Sequence, residues 1–174
     1  MRQSRTMAGG RKPVVVRRFS RDWFAGYADQ SLGENRAELE ILDPAGKVLH
    51  LGWEQVKWVC YVRELPTPSS DSSNPERLVQ KRFAVRPRTA GVWLRMTLND
   101  GEELEGLAAN DASLVNGAGL LLTPPDTRSN TQRIYVPRQA IQALEVVSLI
   151  GAAARKRTEK VEQPELFAER EPGV

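Results

Sequence analysis

Arg82, Arg86 and Arg88 fall within one seven-residue stretch, and Asp111, Ser113 and Asn116 within one of six. Guanidinium groups make paired hydrogen bonds to phosphate oxygens and to guanine edges. This is binding chemistry for an anionic ligand. Catalytic chemistry is missing. The one histidine, His50, stands between Leu49 and Leu51 in a strand-like run, where it has no nucleophile to serve. The one cysteine, Cys60, lies in the apolar run Val56–Val62 and is expected to be a buried strand residue. No Cys/His spacing fits zinc. Ala8-Gly9-Gly10-Arg11-Lys12 lacks the preceding strand and the following Ser or Thr of a phosphate loop. The acids Asp100, Glu102, Glu103 and Glu105 read as the solvated edge of a hairpin. The expectation is therefore a non-enzymatic protein with no catalytic residue, no metal and no cofactor.

Charge is unevenly spread over the 174 residues. The net charge is +3, yet residues 1–22 hold seven basic residues and one acid, and residues 76–95 hold six and one. Two basic segments on an acidic body suggest a localised anionic ligand. No apolar run approaches the length of a membrane span, and the N-terminus lacks the apolar stretch of a secretory signal. A single cysteine allows no internal disulfide. A cytoplasmic location without a membrane partner is the expectation.

The elements that must position these residues occur twice. Val14-x-Val16, Gly26, Leu39-x-Ile41, Leu51 and Val56 recur as Leu94-x-Met96, Gly106, Leu120-x-Leu122, Val136 and Ile141. The offset is 80 residues at the glycines, 81 at Leu39 and 85 at Leu51 and Val56. A near-constant offset indicates two copies of one β-rich unit. The first unit, 13–65, is read as strands over 13–19, 23–28, 37–42, 47–51 and 56–63, with Asp43-Pro44-Ala45-Gly46 as a turn. The second unit, 91–150, is read as strands over 91–98, 102–108, 119–123, 132–136 and 141–149, with Asn99-Asp100-Gly101 as a tight hairpin turn. Residues 1–12 form a basic arm expected to be disordered. Residues 66–90 form a linker in which Asn74-Pro75-Glu76 predicts a short helix running to about Arg82. Residues 151–174 are expected to form a flexible tail. The fold class expected is all-β: two tandem five-stranded small barrels of SH3/Sm-like type, since closure leaves few open strand edges. The tryptophans Trp53, Trp58 and Trp93 are read as packing residues, with base stacking by Trp93 or Tyr135 as the sharper alternative.

Asp100-Gly101-Glu102-Glu103-Leu104-Glu105-Gly106, with Asn116 beyond it, resembles the first signature of Sm-like RNA-binding barrels. That resemblance implies a strand-bending glycine and a base contact by Asn116. Val136-Pro137-Arg138-Gln139 stands where that family carries a second signature, an Arg-Gly pair. Arg82-Phe83-Ala84-Val85-Arg86 and Asp111-Ala112-Ser113-Leu114-Val115 also resemble, in part, the motifs of PilZ domains, which implies binding of a cyclic dinucleotide. Asn116 occupies the position where those domains have a glycine. The stretch from Leu122 to Pro137 resembles uncharacterised bacterial proteins of this small-barrel type. In the tail, Gln163, Leu166 and Phe167 match the spacing of the short peptide with which bacterial proteins dock on the DNA sliding clamp. Three functions follow as expectations. The first is a binding module for RNA or a cyclic dinucleotide on the second unit, through Arg82, Arg86, Arg88, Asp111, Ser113 and Asn116. The second is an adaptor that recruits a protein partner through Gln163, Leu166 and Phe167. The third is a structural protein that forms a homo-oligomer.

Overall fold

The computed structural model describes residues 10–32, 37–66, 78, 80–126 and 128–151. Ten strands account for most of them. The first half holds β1 (Lys12–Arg18), β2 (Trp23–Ala28), β3 (Glu38–Leu42), β4 (Val48–Gly52) and β5 (Val56–Val62). The second half holds β6 (Gly91–Leu98), β7 (Glu103–Ala108), β8 (Gly119–Thr123), β9 (Thr131–Pro137) and β10 (Ile141–Ile150). Alternation explains β6 locally. Leu94, Met96 and Leu98 of β6 point into the core, while Trp93, Arg95 and Thr97 point away. In both halves a three-residue helical turn, Trp53–Gln55 or Arg138–Ala140, separates the fourth strand from the fifth.

All strands join one antiparallel sheet in the order β10-β6-β7-β8-β9-β5-β1-β2-β3-β4. The duplication is visible in that order, because each half runs fifth, first, second, third, fourth strand. The sheet is not closed into a barrel. The expectation of two separate barrels therefore gives way to one continuous sheet. The cause is the pairing of β5 with β9, which places Val59 opposite Tyr135 and Cys60 opposite Ile134 and so fuses the halves edge to edge.

The repeated glycines explain why both copies keep them. A Cβ on Gly26 would lie 2.5 Å from the Leu42 carbonyl oxygen, and one on Gly106 would lie 2.8 Å from the Leu122 Cβ. At each place the third strand of the half crosses close over the second. The two then pair at only Tyr27–Leu42, or at Leu107–Thr123 and Ala108–Leu122. The hairpin turn at Asn99–Gly101 is also as expected, with Gly101 at φ 80°.

Two cores result. One is internal to the first half, with Val14, Val16, Leu39, Ile41 and Val59, and is closed by Tyr135 of the second. The other is centred on Leu94, Met96, Leu104, Leu120 and Leu122, and takes in Val15, Trp58 and Cys60 from the first half. Each half thus completes the other's core. Cys60 is fully buried, as a strand cysteine should be.

The linker differs from expectation. Residues 74–77 and 79 of the expected helix lie outside the described residues, but Leu78, Gln80, Lys81 and Arg82 are not helical. The Lys81 carbonyl accepts the Glu105 amide at 2.7 Å, and the Phe83 amide donates to the Glu105 carboxylate at 3.0 Å. The linker is tied to β7, and these bonds replace those a helix would make within itself. One short helix was not anticipated: α1 (Ser113–Asn116).

Candidate functional site

Asp111, Ser113 and Asn116 are brought together by α1. Asp111 turns the chain into it by accepting the Ser113 amide at 2.9 Å and the Ser113 hydroxyl at 2.5 Å. Those bonds hold the Asp111 carboxyl below its ordinary range, the hydroxyl contributing most. Arg138 secures the turn from β9's side, donating to the Leu114 carbonyl at 2.8 Å and to that of Ser113 at 3.3 Å. Among the described residues none hydrogen-bonds the Asn116 side chain.

The three residues line a cleft of about 840 Å³ that spans the two halves. Gln30, Leu32 and Tyr61 come from the first half, and Leu121, Arg133 and Tyr135 from β8 and β9 of the second. Tyr61 donates its hydroxyl to the carbonyls of Asp29 and Gln30, each at 3.2 Å. Burial, with the nearby Asp29 charge, pushes the Tyr61 phenol well above its usual range, so it stays neutral. Arg133 rests on Thr123 at 2.8 Å, with its side chain exposed. Tyr135 is held from behind by Trp53, ring centres 5.8 Å apart. The cleft therefore offers one guanidinium, one carboxylate, two amides and tyrosine rings beside the apolar Leu32 and Leu121. That set suits a planar, hydrogen-bonding ligand with a single negative charge nearby.

The arginines expected to share this site do not line it. Arg82 pairs with Glu103. Arg86 reaches the Leu149 carbonyl at 3.5 Å, and Arg88 is exposed on the linker before β6. Gln163, Leu166 and Phe167 lie outside the described residues. Arg133, Tyr61 and Gln30 were missed as site residues. Tyr135 was noted only for stacking. Their signal is two-residue alternation, which puts Arg133 and Tyr135 on one face of β9, but nothing local says that β5 lies alongside.

The two basic segments meet elsewhere. Arg17, Arg18 and Arg21 border a second cleft of about 520 Å³ with Lys57, Lys81, Asp100 and Glu102. The acids neutralise much of it. Buried Lys57 donates to Asp100 at 2.5 Å and to Glu102, and lies 4.8 Å over the Trp58 ring; Lys81 also donates to Glu102. Burial works to raise Asp100 and Glu102, but the lysine bonds, joined at Asp100 by the Glu102 amide, together outweigh it and both carboxyls sit below their usual range. These acids are thus not a solvated edge; they bind the β6–β7 hairpin to the first half.

Glu105 departs furthest from that expectation. It is 2% exposed. Its carboxylate accepts from the Phe83 amide at 3.0 Å, from Trp93 at 3.0 Å, and from Arg95 at 3.0 and 2.9 Å. Phe83 stands edge-on to Trp93 at 5.6 Å. Desolvation favours the protonated acid, yet these donors win and hold Glu105 below its usual range. Trp93 thus has a structural partner.

Fold and site define a class: an all-β protein built by duplication, with a polar and aromatic cleft across the join. Over residues 10–148 the chain matches the family of unknown function designated DUF6982, and it belongs to that family. Neither the curated proteins nor the solved structures gave a match. Among the described residues no cluster of ligating side chains could hold a metal ion, and no helix is long and apolar enough to cross a membrane.

Proposed function

We propose that this protein is a non-catalytic binding module whose inter-half cleft takes a nucleotide of single-stranded RNA. The observation that carries the reading is the convergence of Asp111, Ser113 and Asn116 with Arg133 and two tyrosines on one cleft. The base would lie against Tyr61 or Leu121, its edge would meet Asn116 and Asp111, and Arg133 would face the phosphate. A strand of RNA fits better than a cyclic dinucleotide. The arginines of the R-x-x-x-R stretch are engaged with Glu103 and the Leu149 carbonyl, which leaves one guanidinium in the cleft. We further read each half as one small-barrel module of Sm-like type, opened and joined edge to edge. The shared strand order and the helical turn before each fifth strand support that reading.

The test is fluorescence anisotropy of the full chain with a labelled single-stranded RNA and, separately, a labelled cyclic dinucleotide, at low and high salt. RNA should bind and weaken with salt. Arg133→Ala and Asn116→Ala should each lower affinity about tenfold, in the range of a lost stacked or charge-assisted contact. Arg88→Ala should change little. Tighter binding of the cyclic dinucleotide, or indifference to Arg133→Ala, would overturn the assignment.

A further inference from the structure

The β5–β9 junction inside the chain pairs the fifth strand of one half with the fourth strand of the other. The two edges left over are of the same two kinds. β10 is the fifth strand of the second half, and β4 is the fourth strand of the first. Register confirms that β10 corresponds to β5, because Val16 pairs with Val59 as Met96 pairs with Leu144, and Val14 with Tyr61 as Leu94 with Val146. The corresponding residues differ in cover. Val59 is fully buried in the core that Tyr135 closes. Leu144, Val146 and Leu149 of β10 are 40%, 59% and 63% exposed, and Val48 of β4 is 42% exposed. A ten-residue edge strand with an exposed apolar row is a template for another strand.

We propose that β10 of one molecule pairs antiparallel with β4 of a second copy, repeating the internal junction between chains. By correspondence, Leu144 would stand opposite His50 and Val146 opposite Val48, as Val59 stands opposite Tyr135 and Tyr61 opposite Arg133. The contact is head to tail, so it closes into a ring or extends as a row. It is also weaker than its internal counterpart. On the other face of β10, Glu145 and Arg95 stand where the first half has Cys60 and Val15, so an incoming Leu49 meets charge where Ile134 meets Cys60. One matched face and one charged face give a reversible, concentration-dependent association.

Light scattering on the full chain over a rising concentration series should show a mass that climbs above one chain. Val146→Asp should weaken association about tenfold or more, and Glu145→Ala should strengthen it by a similar factor. Both positions are exposed, so circular dichroism should show the fold intact. Val48→Cys and Val146→Cys variants, purified separately, should form a disulfide when mixed under mild oxidation and not when oxidised alone. A mass of one chain at every concentration would overturn the proposal. So would association indifferent to Val146→Asp, or self-linking of Val146→Cys as ready as the mixture, which would mean β10 pairing with β10.

Discussion

Ala25, Val15 and Cys60 stand side by side across β2, β1 and β5 of the first half, and their counterparts in the second are Glu105, Arg95 and Glu145 across β7, β6 and β10. The first row is apolar and packs under the core of the second half. The second row is an ion network: Arg95 bonds Glu105 at 2.9 Å and Glu145 at 3.2 Å. Instead of a third unit, the linker lies near it, through Phe83 and Trp93. The same three positions of one ancestral unit have become a docking surface in one copy and a cap in the other. A row that another half covers must be apolar, because burying unpaired charge costs several kcal/mol. A row against which the polar linker lies can hold charge, provided the buried carboxylate is fully bonded.

Breaking the distinction should cost most at its centre. Val15→Arg writes the second half's residue into the first. It buries a guanidinium with no acid at the Ala25 position and should destabilise by about 3–5 kcal/mol, read as loss of the cooperative urea transition or its shift to low denaturant. A smaller effect separates the two glycines. Gly26→Ala pushes on the Leu42 backbone carbonyl, which cannot move alone, whereas Gly106→Ala pushes on the Leu122 side chain. Gly26→Ala should cost about 3 kcal/mol and Gly106→Ala about 1–2 kcal/mol in the same urea assay; equal costs would mean that the halves yield alike. Comparable to Gly106→Ala is Glu105→Gln, which keeps the shape of the cap and removes its charge, at about 1–2 kcal/mol in thermal unfolding.

Acid should act on the same side of the comparison. Asp100, Glu102 and Glu105 all sit below their usual range when folded. Their contribution is complete above the unfolded carboxylate values and is lost as pH falls through the lower folded values. All three belong to the second half, and the pairing of Asp100 and Glu102 with Lys57 joins it to the first. Thermal unfolding followed from neutral pH downward should therefore fall in the acid range, and the fall should shrink in Glu105→Gln. An unchanged acid slope in that variant would remove the ion network from the account.

Much of this was legible along the chain. All ten strands were legible from short apolar runs between turn signals, and in β6 from alternation too, since Leu94-x-Met96-x-Leu98 can bury one face only when extended. The gathering of Asp111, Ser113 and Asn116 was legible for a similar reason: they lie within one turn of α1 and its entry. Residues 80–82 were misjudged as the end of a helix because Asn74-Pro75-Glu76 is a local signal, while Glu105, more than twenty residues on, claims the carbonyl of Lys81 and the amide of Phe83. Glu105 itself looked like a solvated hairpin acid because its donors come from two neighbouring segments.

The sequence by itself determined the strands, their twofold repetition and the close-packed glycines, because each depends on neighbours a few residues away or on comparison at a fixed offset. Only the tertiary structure decided that β5 pairs with β9. From that one long-range pairing come the single sheet, the shared cores, and the cleft in which Arg133 and Tyr61 join Asp111 and Asn116. Strand edges carry generic backbone hydrogen-bonding groups, so which edge meets which is settled by the fit of both halves' side chains at once, and no local stretch of sequence contains that sum.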